Sequence, residues 1–273
     1  MTSPTLNLTT ASGTIRIGYR SPQLGPALDA DAKMLLATAC GMSVIEPQCN
    51  QREITNPTQA RDYAAAARRH SIAVPSFGCD LPLLTEDLAA NQAQLDQALA
   101  VAEHLGAGHF FTRVLLPPPE MPQPRAWERL RRHLPPVLDR CRAAGLDCGI
   151  EADGGTFITS TERLLHLLTL VDHPALVANF DACNLYLGGS DPLATVETLA
   201  TRIRNGHIKD GIWHAARHGE VAIGQGELDW HALLGKLRHH DLAVPLFIEH
   251  CKSPEQVRAA AEHLRRCLDE LQL

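Results

Sequence analysis

Four apolar runs in the second half of the chain each carry one residue able to bind a metal or move a proton. They are Glu151 in "DCGIEAD", Asp181 in "LVANFDAC", His207 in "GHIKDG" and Glu249 in "VPLFIEHC". Each run otherwise reads as a buried strand, where an unpaired charge is very costly. Three carboxylates and one imidazole form an oxygen-rich donor set with a single nitrogen. Such a set suits Mn²⁺, Mg²⁺ or Co²⁺ in octahedral geometry better than structural zinc, and leaves positions for substrate oxygens. Carboxylates gathered on neighbouring strands repel one another unless a cation holds them together. Within these runs the only counter-charge is Lys209. Lys209 alternates with His207 and shares its face, either to touch substrate oxygens or to neutralise a carboxylate. Asp210 is placed to hold the strand end or to orient a ligand. The rival account of each residue taken singly is a cap or an ordinary salt-bridge partner.

The elements that must position these side chains follow from hydrophobic periodicity. Eight β-like runs, at 14–20, 42–49, 72–79, 109–116, 147–153, 176–183, 206–211 and 244–251, alternate with amphipathic stretches such as "TQARDYAAAARRH" and "DWHALLGKLRHH". Eight strand–helix repeats in 273 residues predict an α/β fold of the (β/α)₈ barrel type, in which strand C-terminal ends and the loops after them carry function. The four residues then lie on adjacent staves and converge. A doubly wound sheet would carry a glycine-rich turn after its first strand, and "GYRSPQLGPALD" has no G-x-G-x-x-G. Thr161 and Asp191-Pro192 read as helix starts, and Gly106 and Gly145 as left-handed terminators. The proline-rich 117–124 segment is expected to be a loop. "GQGELDW" (224–230) is a weak match to a phosphate cradle and a better one to a turn with Asp229 as N-cap. No linker divides the chain, so residues 1–273 read as one barrel domain, with 1–13 contributing a hairpin strand at its floor.

Composition bounds the partners. With 45% hydrophobic and 21% charged residues the chain can bury a large core. A formal charge of −6 and the lack of a basic block argue against nucleic acid; Arg129, Arg131 and Arg132 read as a solvated helix face. The eight cysteines are scattered without a C-x-x-C pair, as expected of reduced thiols in a cytoplasmic protein. The first ten residues do not read as a signal peptide, and no apolar run approaches the length of a membrane span.

The order Glu151, Asp181, "HIKDG", "GQGELD" and Glu249 resembles the sugar phosphate isomerase/epimerase superfamily of xylose isomerase-like barrels. The motif match covers the C-terminal half, and Glu46 in the N-terminal half agrees with it. The resemblance implies one divalent metal, Mn²⁺ first among Mg²⁺, Co²⁺ and Zn²⁺, held by Glu151, Asp181, His207 and Glu249. It implies a metal-dependent ketose epimerase or aldose–ketose isomerase acting on a small sugar, its phosphate or a keto-polyol. One of Glu151 and Glu249 would remove a proton beside the carbonyl through a metal-stabilised enediolate, and the other would return one. Arg217, Asn184, Lys209 and Asp153 would contact the substrate. Self-association as a homodimer or homotetramer is a further expectation, with no nucleic acid or membrane partner. Two positions depart from the pattern, because Asn184 and Asp153 stand where histidine is frequent. Asn184 can hydrogen-bond but not titrate, and Asp153 adds negative charge that favours a neutral polyol or a cationic group over a phosphate. The alternatives on the same fold are a keto-polyol dehydratase of inosose or dehydroshikimate type, an endonuclease IV-like nuclease, and a non-catalytic sugar-binding barrel.

Overall fold

In the computed structural model, the residues described are 5–25, 28–49, 53–85, 87–214 and 218–272. The first strand among the described residues is β1 (Asn7–Thr9), which pairs antiparallel with the start of β2 (Thr14–Arg20). The chain then alternates: α1 (Ala30–Ala39), β3 (Ile45–Glu46), α2 (Pro57–Arg69), β4 (Ser76–Gly78), α3 (Leu88–Leu105), β5 (His109–Arg113), α4 (Gln123–Ala143), β6 (Asp147–Glu151), α5 (Thr161–Val171) and β7 (Leu176–Asp181). Two short helices, α6 (Ala182–Leu187) and α7 (Pro192–Leu199), lead to β8 (Ile203–Ile208). A small antiparallel pair, β9 (Asp210–Ile212) and β10 (Gly219–Val221), precedes α8 (Trp230–His239), β11 (Pro245–Ile248) and α9 (Pro254–Gln272).

The parallel strands run side by side in the order β3, β2, β11, β8, β7, β6, β5, β4. Isolated parallel bridges, Val44 to Ala73 and Gln48 to Gly78, join the two ends of this order and close the ring. The fold is thus the α/β (β/α)₈ barrel that the alternation predicts. The staves are covered on both faces, which is why they read as apolar runs rather than as strict alternations. Val177, Ala178 and Phe180 of β7 and Leu246, Phe247 and Ile248 of β11 are all buried. Gly18 is required where β2 and β3 meet, because a Cβ there would lie 2.1 Å from the Val44 carbonyl oxygen.

Several boundaries differ from the sequence reading. The second and third staves shrink to Ile45–Glu46 and Ser76–Gly78, their flanks making single bridges only. The seventh begins earlier, at Ile203, and Asp210 belongs to the β9–β10 hairpin rather than to the stave. Ser160, not Thr161, is the N-cap of α5, its side chain accepting from the Arg163 amide. The proline-rich loop ends at Pro122, since Pro124 is tolerated in the first turn of α4, where its missing N–H leaves no bond unmade. Asp191 caps α7 and Asp229 caps α8 as expected, and Gly106 and Gly145 take positive φ. Arg131 and Arg132 lie exposed beside Glu128 on α4. All eight cysteines are buried, with no disulfide between them. No helix among the described residues is long and apolar enough to cross a membrane.

Candidate metal centre

β6, β7, β8 and β11 bring Glu151, Asp181, His207 and Glu249 together, all four buried, with one ligand-type atom from each within 4.8 Å of the others. Glu151 and Asp181 end their strands, His207 is the penultimate residue of β8, and Glu249 follows β11 directly. The order of the staves puts Asp181 and His207 between the two glutamates, which therefore reach the cluster from either side.

His207 sits at its heart, with no exposed surface. Its Nδ1 lies 2.6 Å from Glu151 Oε1, and its Nε2 lies 2.8 Å from Glu46 Oε2. The Phe111 ring meets the imidazole edge-on at 4.6 Å. Burial opposes a charge on this ring, but Glu151, Glu249 and Glu46 outweigh it and push the imidazole up to about 10. If the proton stays on Nε2, facing Glu46, the Nδ1 lone pair is free for a cation on the Glu151 side, the usual arrangement of a metal-binding histidine braced by a carboxylate. Glu46 is itself held by Asn205, whose Nδ2 donates to Oε1 at 2.9 Å, and by an ion pair with Arg20 Nε at 3.1 Å. Glu46 is thus the group that fixes the orientation of His207.

The counter-charges come from two places. Lys209 Nζ lies 3.1 Å from Asp181 Oδ2, 3.3 Å from Glu249 Oε2 and 3.0 Å from Glu220 Oε1. Arg20, at the end of β2, donates from Nη1 to Glu249 Oε1 at 2.6 Å and from Nη2 to Gln48 Oε1, with its guanidinium over the Phe111 ring. Arg20 comes from outside the four runs and adds a second cation to Lys209, because the first stave closes onto the eighth. Burial raises the Glu249 carboxyl, yet Lys209, His207 and Arg20 together hold it well below the usual carboxylate range. At Asp181 burial prevails: despite Lys209, and with Glu151 and Glu249 adding to the effect, its carboxyl is pushed up to about 7.

Three observations fit a divalent ion here. Four buried carboxylates, Glu46, Glu151, Asp181 and Glu249, face two permanent cations, Arg20 and Lys209, so the remaining charge is balanced by protons on His207 and Asp181, which a divalent ion would replace. Asp181 Oδ2, although buried, has no hydrogen-bond partner among the described residues beyond its ion-pair contact with Lys209 Nζ. The donor set is three carboxylates and one imidazole, suited to a hard or borderline cation.

Above the cluster opens a cavity of about 170 Å³, whose walls include Arg20, Gln48, Asp80, Arg113, Asn184 and His250. Arg113, ending β5, holds Asp80 with two nitrogens, at 3.3 and 3.1 Å, and Asp153 with a third at 3.3 Å. Asp153 faces the cavity, and its other oxygen accepts from the Gly155 amide, so it also builds its turn. The Asn184 amide donates to Asp181 Oδ1 at 2.8 Å, which caps α6, while its side chain lines the cavity. Arg217 lies outside the described residues. Asp210 does not reach the ligands: it accepts from the amides of Gly211, Gly224, Gly226 and Leu228. The amides of Gly224, Gly226 and Leu228 in "GQGEL" are therefore turned onto an internal carboxylate rather than a phosphate. A Cβ at Gly226 would lie 2.0 Å from Asp210 Oδ1, which explains the glycine.

Sequence reasoning missed Arg20, Gln48, Glu220, His250 and the Asp80–Arg113 pair as parts of this site. Arg20 and Arg113 occupy strand ends, so the rule that found Glu151 applies to them as well. Glu220 sits on a three-residue strand without periodicity and offered no such signal.

Comparison with known proteins agrees with this architecture. Over 84 residues the chain is 33% identical to inosose dehydratase from Lacticaseibacillus casei, a match covering 31% of this chain and 28% of that protein. The crystal structure of a D-tagatose 3-epimerase-like protein superposes with a TM-score of 0.79 at 16% identity, over 94% of this chain and 98% of the other. The IOLI protein, whose crystal structure carries a zinc atom, superposes with a TM-score of 0.74 at 15% identity, over 94% and 96% of the two chains. The family model described as xylose isomerase-like TIM barrel matches residues 34–267, and the chain belongs to that family.

Proposed function

We propose that this protein is a divalent-metal-dependent isomerase or epimerase that moves a proton at the carbon beside the carbonyl of a small sugar or keto-polyol. The observation that carries the reading is the placement of Glu151 and Glu249 on either side of one buried cluster, with Asp181 and His207 between them. Two carboxylates so disposed address opposite faces of a substrate carbon, one to take a proton and one to return it. Bound to Glu151, Asp181, His207 and Glu249, a divalent ion, Mn²⁺ by our reading of the donors, would supply a Lewis acid for the substrate's oxygens. Arg20 and Lys209 keep Glu249 ionised. Glu46 and Asn179, whose Nδ2 donates to Glu151 Oε1 at 3.2 Å, hold the His207–Glu151 pair in register. Asn184, Gln48 and the Arg113–Asp153 pair present hydrogen-bonding groups to hydroxyls in the cavity.

A second reading is favoured by the match to inosose dehydratase. Dehydration begins with the same proton abstraction and then expels hydroxide, so both reactions draw on the same residues. One experiment tests the proposal and separates the two. Mn²⁺-loaded protein is incubated in deuterated water with ketoses, their phosphates and keto-polyols. Deuterium beside the carbonyl in a product that retains its oxygens supports epimerisation or isomerisation, whereas loss of water identifies the dehydratase. Absence of exchange across the panel overturns both.

A further inference from the structure

Lys209 is the cation placed deepest among the ligand-type groups, 4% exposed and lying between β8 and β9. Its ammonium touches Asp181 Oδ2 at 3.1 Å and Glu249 Oε2 at 3.3 Å, oxygens of two of the four residues that converge on the centre. A divalent ion gathered by the same residues would meet this positive charge at contact range, and in a buried site such repulsion is weakly screened. Lys209 also has a third partner, Glu220 Oε1 at 3.0 Å, on β10 and one-third exposed. Glu220 is outside the ligand cluster, its other oxygen meets His250 Nδ1, and with Lys209 it lines the cavity.

We propose that Lys209 is a built-in competitor for the divalent ion: its ammonium neutralises Asp181 and Glu249 until the ion arrives, and then passes to Glu220. The proposal rests on the reading of the cluster as a metal centre. A lysine suits this task because its charge is compact and sits on a four-carbon stem with free rotation. The exchange keeps the carboxylates neutralised before loading, when an uncompensated buried charge would destabilise the barrel. After loading, the ammonium stands at the cavity wall beside Glu220, where substrate oxygens can meet it. Lys209 thereby serves both uses that its strand position suggests, one before the other.

The test is Mn²⁺ binding to chelator-stripped protein by calorimetry, with no substrate present. K209M is expected to bind Mn²⁺ tenfold or more tightly than the wild type, and Lys209→Gln to shift in the same direction. E220Q is expected to weaken binding severalfold in the wild-type background and by clearly less in the K209M background, because the hand-over is then absent. Metal-free K209M should melt at a lower temperature than the wild type, yet gain more on adding Mn²⁺. Equal or weaker Mn²⁺ affinity in K209M and Lys209→Gln overturns the competition while leaving the metal centre standing. An E220Q effect of the same size in both backgrounds overturns the hand-over to Glu220. No Mn²⁺ binding by the wild type or any variant overturns both the proposal and the metal centre.

Discussion

Replacing Glu46 by glutamine changes one charge in a fully buried position and leaves the side-chain volume almost unaltered. In the wild type both carboxylate oxygens accept only. Oε1 takes a hydrogen bond from Asn205 Nδ2 at 2.9 Å, and Oε2 faces His207 Nε2 at 2.8 Å and Arg20 Nε at 3.1 Å. A glutamine must place an NH₂ at one of these positions, so a donor meets a donor whichever way the amide turns. Leaving a buried donor unpaired costs about 1–3 kcal/mol, and removing one partner of a buried ion pair about 3–5 kcal/mol. The two costs overlap at the same atoms, so Glu46→Gln should lose about 3–5 kcal/mol of stability in the metal-free protein, not their sum. Burial alone would raise the Glu46 carboxyl, but His207 and then Arg20 hold it below its usual range, so it is ionised at neutral pH and the loss is felt there. With its brace gone the imidazole can turn, and second-shell losses of this kind weaken metal binding about 10–100-fold. Urea unfolding at pH 7 in chelator measures the first effect, and Mn²⁺ calorimetry the second. A loss below about 1 kcal/mol, together with unchanged Mn²⁺ affinity, would refute the claim that Glu46 positions His207.

Other expectations can be checked alongside. Glu151→Gln and Glu249→Gln should each abolish proton exchange from substrate while retaining the wild-type circular dichroism spectrum; near-normal exchange in either removes that residue from the mechanism. His207, pushed up to about 10 from an ordinary 6.5, contributes stability that is complete below 6.5 and lost as pH rises through about 10. Asp181, raised from 3.8 to about 7, acts in the same direction at lower pH. Above the range in which the Glu46 and Glu249 carboxylates act, metal-free protein should therefore melt progressively lower from pH 6 to pH 10, and Mn²⁺ binding at pH 8 should release a proton, read as a buffer-dependent heat in calorimetry. Asp210→Asn sets an NH₂ donor against two backbone N–H donors whichever way the amide turns and should cost about 1–3 kcal/mol, with faster proteolysis between β10 and α8; an unchanged melting temperature would show that the loop holds itself.

The four ligand-type residues were legible because they interrupt runs that the barrel otherwise requires to be apolar. A stave covered on both faces tolerates a carboxylate or imidazole only where something pays its desolvation. Asp229 and Asp191 were legible for a local reason: a cap acts on amides two or three residues away and needs no knowledge of the fold. Ser160 escaped because Ser and Thr stand side by side, and only the backbone turn decides which of them caps. Asp210 was placed in the wrong element, since a strand and a hairpin edge share the same short pattern.

The chain's pattern of apolar runs, caps and isolated polar residues determined the barrel and singled out the four residues that it brings together, because both follow from periodicity and from the cost of burying charge. Which cation answers which carboxylate was decided only when the ring closed. Arg20 reaches Glu249 across 229 residues, and Glu46 braces His207 across 161, because β2 lies beside both β3 and β11. Lys209 is drawn toward Asp181, Glu249 and Glu220 at once by the meeting of two staves and a hairpin. Distances between residues so far apart in the chain are set by strand register, to which no local pattern of side chains gives access.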